Sequence, residues 1–479
     1  AGNDWLLGGA GSDLYRFTRD DGNDRISDTG GDLDVLEFTD GISPADILVE
    51  QSADGWSLTL AVAGTSDRIV IENALTSGRI EQVRFANGTT WSTEDLVQRA
   101  STAGNDTLSG DSAANILAGG KGDDLLIGYD GNDVYRYARG DGRDTIRDSS
   151  LSSNDTLEIT GYDLAELSFA RRSPEDNDIV IRLSQAGDEI VIRDGLSGER
   201  GIERILLIDS DVVLNLADIR AATLASQQTD GDDWIVGTSD SETITGGRGN
   251  DVISGNGGLD TFVFRAGDGI DRIEGFSSTY ANVLRLEGLN PSDIARAVRG
   301  GPENLDFVLS LAGGTDQITL TGALRRWNEL TIRFADGTVW DVAAMRARAL
   351  SDIDGTGNDK VYGFDGDDSF AARAGDDSLF GAEGSDSYAF GRGSGRDTIQ
   401  DSDSLTYPVD AVFIADFAST EASVSRLFRG SESVVIAFES SATDSLTIID
   451  ALAADGKGVE RIRFADGVEW TKATMRDLV

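Results

Sequence analysis

Apolar residues recur along this chain at intervals of nine. Leu108, Leu117, Leu126 and Tyr135 are spaced in this way, as are Ile235, Ile244, Ile253 and Phe262, and again Val361, Phe370, Leu379 and Tyr388. Each run ends with one more apolar residue after a step of eleven: Ile146, Ile273 and Ile399. A shorter run, Leu6, Tyr15 and Ile26, opens the chain. The residues between are mostly glycine, aspartate and other polar types. A period this short leaves no room for a helix between strands. It predicts a solenoid in which short strands stack and their inward-facing apolar residues form buried ladders.

The polar half of the period carries the chemistry. Two residues before each apolar position stands an acid or its near equivalent. The first cluster holds Asp4, Asp13 and Asp24; the second Asp106, Asn115, Asp124, Asp133 and Asp144. The third holds Asp233, Glu242, Asp251, Asp260 and Asp271, and the fourth Asp359, Asp368, Asp377, Asp386 and Asp397. A glycine lies two residues before every one of these except Asn115 and Glu242, so glycine and aspartate are lost together. Glycine permits a tight turn and leaves backbone carbonyls uncovered, while aspartate supplies a hard anionic oxygen. One carboxylate per turn beside bare carbonyls is a construction for Ca²⁺. A single Asp-Gly turn would mean only a β-turn; the register of the whole array is what argues for a metal.

Each solenoid block is followed by a second unit that also repeats. Its first strand reads DVLEF at 34–38, DTLEI at 155–159, NVLRL at 282–286 and DAVFI at 410–414. An apolar strand follows: DRIVIENAL, DEIVIRDGL, DQITLTGAL or DSLTIIDAL. The unit closes on VRFANGTTW at 83–91, IRFADGTVW at 332–340 and IRFADGVEW at 462–470, with a degenerate copy, ILLIDSDVV, at 205–213. Asn-Gly or Asp-Gly between apolar runs predicts a hairpin. Trp91, Trp340 and Trp470 read as core anchors on the sheet beyond the turn. A short helix is expected to end each unit, as at 92–100, where Ser92 and Asp95 have capping-box spacing. The aromatic pairs Tyr15/Phe17, Tyr135/Tyr137, Phe262/Phe264 and Tyr388/Phe390 read as a hydrophobic plug between block and companion unit. The chain thus parses into four modules, 1–101, 102–228, 229–352 and 353–479, with repeat blocks at 1–30, 102–149, 229–276 and 354–403. It opens partway through the first block, as a fragment or processed product would.

In these phrases, GGAGSDLYR, GGKGDDLLI, GGRGNDVIS and ARAGDDSLF, the chain resembles the repeats-in-toxin (RTX) family of haemolysin-type calcium-binding repeats. The units between them resemble the companion domain found beside such repeats in large secreted proteins. The resemblance implies an all-β fold: tandem parallel β-rolls alternating with small β-rich companion units. It also implies several Ca²⁺ ions, each shared by repeats eighteen residues apart on one edge. Asp359 would then pair with Asp377, Asp368 with Asp386, Asp106 with Asp124, and Asp233 with Asp251. Carbonyls of Gly357 and Gly366, and of their equivalents Gly104, Gly122, Gly231, Gly249 and Gly375, would complete the shells. Pairs that contain Asn115 (with Asp133) or Glu242 (with Asp260) depart from the pattern and imply weak or vacant sites. The resemblance further implies export by type I secretion from a Gram-negative cell, with folding outside it.

Composition narrows the function. The chain has no histidine and no cysteine, which removes His-based acid–base chemistry, triads, the usual zinc and haem ligands, and disulfides. Its formal charge of −44 disfavours nucleic acid and anionic membrane as partners. No apolar run approaches the ~20 residues that span a bilayer. GGKGDD at 119–124 lacks the Gly-Lys-Ser/Thr of a phosphate loop. Nearly every residue falls within a repeated unit, leaving no stretch of the ~50 residues that a separate catalytic domain needs. The leading expectation is a non-enzymatic, extracellular calcium-binding array, part of an adhesin, matrix or filament, with self-association or a cell-surface partner. The others are the C-terminal secretion and folding region of an exported enzyme or toxin, and a calcium-bridged polysaccharide-binding module.

Overall fold

The computed structural model describes residues 1–479 apart from 30, 32, 53–55, 75–79, 149–153, 198–200, 277–278, 302–303, 327, 354, 402–408 and 454–456. The expected block limits at 30, 149, 354 and 403 lie outside the described residues. The chain divides into two compact units, Ala1–Gln228 and Thr229–Val479.

Every nonapeptide contributes one three- to five-residue strand, and alternate strands go to opposite sheets. Between 102 and 228, one sheet stacks Thr107–Ser109, Leu125–Ile127 and Arg143–Arg147 in parallel; the other stacks Ile116–Ala118, Val134–Ala138 and Thr156–Thr160. Leu108 sits beside Leu126 and Leu126 beside Ile146, while Leu117 sits beside Tyr135 and Tyr135 beside Leu157. All of these side chains are buried between the two sheets. Two polar edges of turns flank this apolar interior. The fold is therefore all-β, a parallel β-roll.

The companion unit is built onto the roll rather than beside it. Glu189–Ile192 pairs in parallel with Arg143–Arg147, so Ile146 is followed by Ile192 in the same ladder. Arg204–Leu207 pairs in parallel with Thr156–Thr160 and carries Ile205 onto Leu157. Only then does the direction change. The antiparallel strands Ile179–Leu183 and Leu167–Arg171 close the first sheet, and Val212–Asn215 closes the second. The same order recurs in every copy: six- and five-stranded sheets in the copies beginning at 107, 234 and 360, and five- and four-stranded sheets in the first. Sequence-similar ladders run Ile253–Ile273–Leu320 and Leu379–Ile399–Ile448.

The closing hairpins form where the Asn-Gly and Asp-Gly turns stand, including the degenerate copy, where Arg204–Leu207 pairs with Val212–Asn215. Trp91, Trp340 and Trp470 meet Phe85, Phe334 and Phe464 edge to face, with ring centroids 4.5, 4.6 and 4.5 Å apart. Each copy ends in a helix: α1 (Thr93–Ala100), α2 (Leu216–Ala225), α3 (Val342–Ile353) and α4 (Lys472–Leu478). Ser92 caps α1 by accepting from the Asp95 N–H, and the Asp95 carboxylate accepts the Ser92 N–H in return. Within the first unit α1 also packs against Thr107–Ser109 and Ile116–Ala118, the opening strands of the next roll. The Gln51 amide brackets the Ser109 backbone, and Trp56 stacks on Tyr129 at 5.1 Å. The second unit repeats this joint: α3 packs on Lys360–Tyr362 and Ser369–Ala371, and Arg346 pairs with Asp365 at 3.0 Å.

Because Leu126 is the middle rung of a ladder with neighbours above and below, Leu126→Ala leaves a cavity that neither sheet can close. Denaturation in saturating calcium should show a loss of about 2–5 kcal/mol.

Candidate metal centre

The edges of the rolls hold the repeated acids. Stacking brings each turn so close to the one before that a side chain would not fit. Gly122 has φ +140°, and a Cβ built on it would lie 2.4 Å from the Gly104 carbonyl oxygen. Gly375 repeats this against Gly357 at 2.2 Å. The glycine thus serves stacking as well as turn geometry, and it brings successive carbonyls onto one edge.

The aspartates knit these turns together. Asp124 Oδ1 accepts the backbone N–H of Asp106, eighteen residues earlier, at 2.7 Å. Asp251 does the same for Asp233 (2.8 Å), Asp377 for Asp359 (2.8 Å) and Asp386 for Asp368 (2.8 Å). At the step of eleven Asp144 takes Asp124, Asp271 takes Asp251, Asp397 takes Asp377 and Asp24 takes Asp4. The departures stay in register: Asp133 accepts the Asn115 N–H at 2.7 Å, and Asp260 the Glu242 N–H at 3.1 Å. Asp13 donates its N–H to Asp34 instead, at 2.7 Å. The eighteen-residue register expected of the site pairs is thus the register of the stacked turns.

One oxygen of each carboxylate is used in this way. The other, Oδ2, is buried with no hydrogen-bond partner in Asp13, Asp124, Asp133, Asp144, Asp251 and Asp377. A bare carboxylate oxygen inside a protein costs several kcal/mol unless a proton or a cation meets it. Burial accordingly pushes Asp144 up to about 8 and Asp271 up to about 7, against the hydrogen bond each accepts from the turn before. Asp368 is pushed up to about 6, again by burial first. Asp124, Asp251 and Asp377 are raised for the same reason. The residues present therefore fit a hard dication: anionic oxygens facing inward, without partners, between turns whose glycines expose carbonyls.

Most of the repeated acids stand in the turns just before a strand, whereas Asp24, Asp144, Asp271 and Asp397 are the second residues of theirs. A second set of acids escapes the nine-residue period. Asp34, Asp155 and Asp410 open the companion strands and extend the same ladder, accepting N–H bonds from Asp13, Asp133 and Asp386. Their own N–H groups are held by Glu81, Glu203 and Glu460. Asp28, Asp148 and Asp401 lie beside them. They fall outside the nine-residue period, so only their recurrence between copies could have revealed them. The aromatic plug also needs correction. Tyr15, Tyr135 and Tyr388 are buried as expected, yet their hydroxyls donate to Asp28, Asp148 and Asp401.

Two predictions follow from this geometry. Gly122→Ala meets both the strained φ and the Gly104 carbonyl, whereas Gly140→Ala, at φ +91° with open space around it, meets the strain alone. Each strained residue costs about 1–3 kcal/mol, and Gly122→Ala should lose measurably more stability than Gly140→Ala in thermal melts with calcium. The second concerns pH. A carboxyl raised in the fold holds its proton more tightly folded than unfolded, so its contribution is complete below about pH 4 and is lost as pH rises through the folded value. In EGTA the β signal in far-UV circular dichroism should be stronger at about pH 5 than at about pH 8. Calcium should erase the difference and release protons into a weakly buffered solution.

The comparisons with known proteins agree with this geometry. The profile of the RTX calcium-binding nonapeptide repeat matches residues 1–16, 101–135, 228–262, 353–379 and 362–399. That of the haemolysin-type calcium binding protein related domain matches 58–95, 306–344 and 434–474, leaving out the copy with the degenerate closing phrase. No curated protein matches the chain. Among solved structures, the extracellular lipase LipA from Serratia marcescens aligns at 23% identity with a TM-score of 0.19, over 48% of this chain. The match spans 40% of the lipase, so this chain covers less than half of that protein's length. With its stacked aspartate turns and these two profiles interleaved along its length, the chain belongs to the RTX calcium-binding repeat proteins, whose cofactor is a set of Ca²⁺ ions.

Proposed function

We propose that this chain is a secreted structural array in which calcium, taken up between the turns of the rolls, converts an acidic unfolded chain into stiff stacked modules outside the cell. The observation that carries the reading is the buried, partnerless Oδ2 of Asp124, Asp144, Asp251 and Asp377, placed between stacked turns. We assign the ligands to the aspartates of neighbouring turns on one edge: Asp106 with Asp124, Asp233 with Asp251, Asp359 with Asp377 and Asp368 with Asp386. Carbonyls of Gly104, Gly122, Gly231, Gly249, Gly357, Gly366 and Gly375 would join them. Bound calcium supplies two positive charges to each such site.

The chain's own residues set the switch. At a formal charge of −44, the carboxylates repel one another, and short turns bury too little to offset the chain entropy lost in ordering them. Binding only to the folded form then stabilises it by mass action. Affinities of extracellular modules, ~10⁻⁴–10⁻³ M, would leave the rolls unfolded at cytosolic calcium and folded outside. That fits type I export of an unfolded chain. Both matched profiles describe calcium-binding units, and no helix among the described residues is long and apolar enough to cross a membrane. The joints made by α1 and α3 support a mechanical role, because each seats the first turns of the following roll against the module before it. A surface, adhesin, matrix or filament assembly is the setting we infer, with self-association as its route.

Calcium titration followed by circular dichroism tests this. We expect a cooperative coil-to-β transition between about 0.1 and a few mM that Mg²⁺ does not reproduce and EGTA reverses. Asp124→Ala should shift the midpoint to higher calcium. A chain fully β-structured in EGTA at neutral pH would overturn the switch.

A further inference from the structure

Where each roll passes into its companion strands, the carboxylates gather differently from those on the nonapeptide edges. In the second copy, Asp133, Asp148 and Asp155 bring one oxygen each to within 4.8 Å of one another, and all three are buried. The Tyr135 hydroxyl donates to Asp148 Oδ2 at 2.7 Å, which aims that carboxylate inward. Asp133 is fully buried, and its Oδ2 has no partner. Gly128 forms the floor. A Cβ there would lie 2.1 Å from the Tyr135 hydroxyl, 2.3 Å from Asp133 Oδ2 and 2.6 Å from Asp148 Oδ2, so these atoms converge on one point. The first and fourth copies build the same group from Asp13, Asp28 and Asp34 and from Asp386, Asp401 and Asp410. In the first, Asp34 is fully buried, with its Oδ2 also partnerless.

The third copy acts as an internal control. There Tyr135, Asp148 and Asp155 are replaced by Phe262, Gly275 and Asn282, while Asp260 keeps the place of Asp133. The turn still stacks, with the Asp260 N–H bonded to Asn282 Oδ1 at 2.8 Å. Hydroxyl, carboxylate and second negative charge disappear together. Independent packing positions would have no reason to change as a set, whereas the parts of one ligand site would.

We propose that the first, second and fourth copies each hold an additional oxygen-liganded divalent cation of the Ca²⁺ class at this junction, bound by three aspartates, and that the third copy has lost it. The site differs from the edge sites in its ligands: three carboxylates converge, two of them, Asp148 and Asp155, from outside the nonapeptide period. The tyrosine is a positioning residue. Such an ion would tie the last nonapeptide of a roll to the first companion strand, so that roll and companion fold as one body. The inference rests on the calcium-binding reading of the repeats.

The test is a count of calcium per full-length chain by equilibrium dialysis and atomic emission. Tyr135→Phe, Asp148→Gly and Asp155→Asn together give the second copy the residues with which the third already folds. We expect one ion fewer than in the unaltered chain. The milder Asp148→Asn, suited to the case in which the triple change disturbs folding, should weaken one ion about tenfold, because a charged ligand becomes neutral. If the unaltered chain takes up no calcium, the reading of the repeats itself fails. If it takes up calcium and both variants bind the same number at the same affinity, only the junction site fails, and a shared proton rather than a metal holds the three carboxylates.

Discussion

The structure depends on one recurring interaction, a carboxylate trapped between two stacked turns. In Asp124, Asp251 and Asp377, one oxygen accepts a backbone N–H from the turn before and sets the register of the roll; the other is buried without a hydrogen-bond partner. A hydrogen bond of this kind contributes about 1.5–3 kcal/mol, whereas an uncompensated buried charge costs more, so the roll by itself is close to balance or against it. Neutralising the second oxygen would tip that balance. In the proposed switch, fold and cation binding are one equilibrium, and the same residues that hold the turns apart when bare hold them together when met.

Apolar stacking alone would not produce this dependence. In the early strands of each roll, such as Thr107–Ser109, Ile116–Ala118 and Leu125–Ile127, the ladders bury one large apolar side chain per nine residues. Only the last nonapeptide strand buries more, as with Tyr135 and Tyr137. Full burial of one such side chain contributes about 1.5–3 kcal/mol, while ordering nine residues of backbone costs about 1–2 kcal/mol for each. The companion strands change the proportion. They continue both sheets, add antiparallel hairpins with Trp–Phe contacts and end in capped helices, giving the roll a denser terminus on which to stack. Within each unit the helix then offers its outer side to the next roll, so order can pass from one copy to the following one.

The four copies are not equivalent, and their differences carry information that a single module would hide. Asn115 and Glu242 lose their glycine and aspartate together yet remain in the hydrogen-bonded register, so stacking requires neither residue type at these two turns. Phe262, Gly275 and Asn282 mark a second such departure at the roll's end, again without breaking the strand pairing. Register is secured by the backbone and one carboxylate or amide oxygen, whatever the rest of the set.

The nine-residue alternation of glycine, aspartate and apolar residues was enough to establish the solenoid, the inward ladders and the acids on the edges, because a period so short has few ways to bury an apolar face. The Asn-Gly and Asp-Gly hairpins and the Ser92–Asp95 cap were legible for the same reason: each is a local device whose residues lie within a few positions of one another. Three features needed the tertiary structure. Glu189–Ile192 and Arg204–Leu207 lie about 46–48 residues beyond the strands they join, and only the stacked sheets place them in the same ladders. Asp28, Asp148 and Asp401 fall outside the period, so nothing local links them to the aspartates they meet across a turn. The Tyr135 hydroxyl, on a side chain that reads as apolar filling, finds its acid partner thirteen residues away because the strand is short and the next turn folds back over it. Local spacing determines what repeats; long-range stacking decides which oxygens converge.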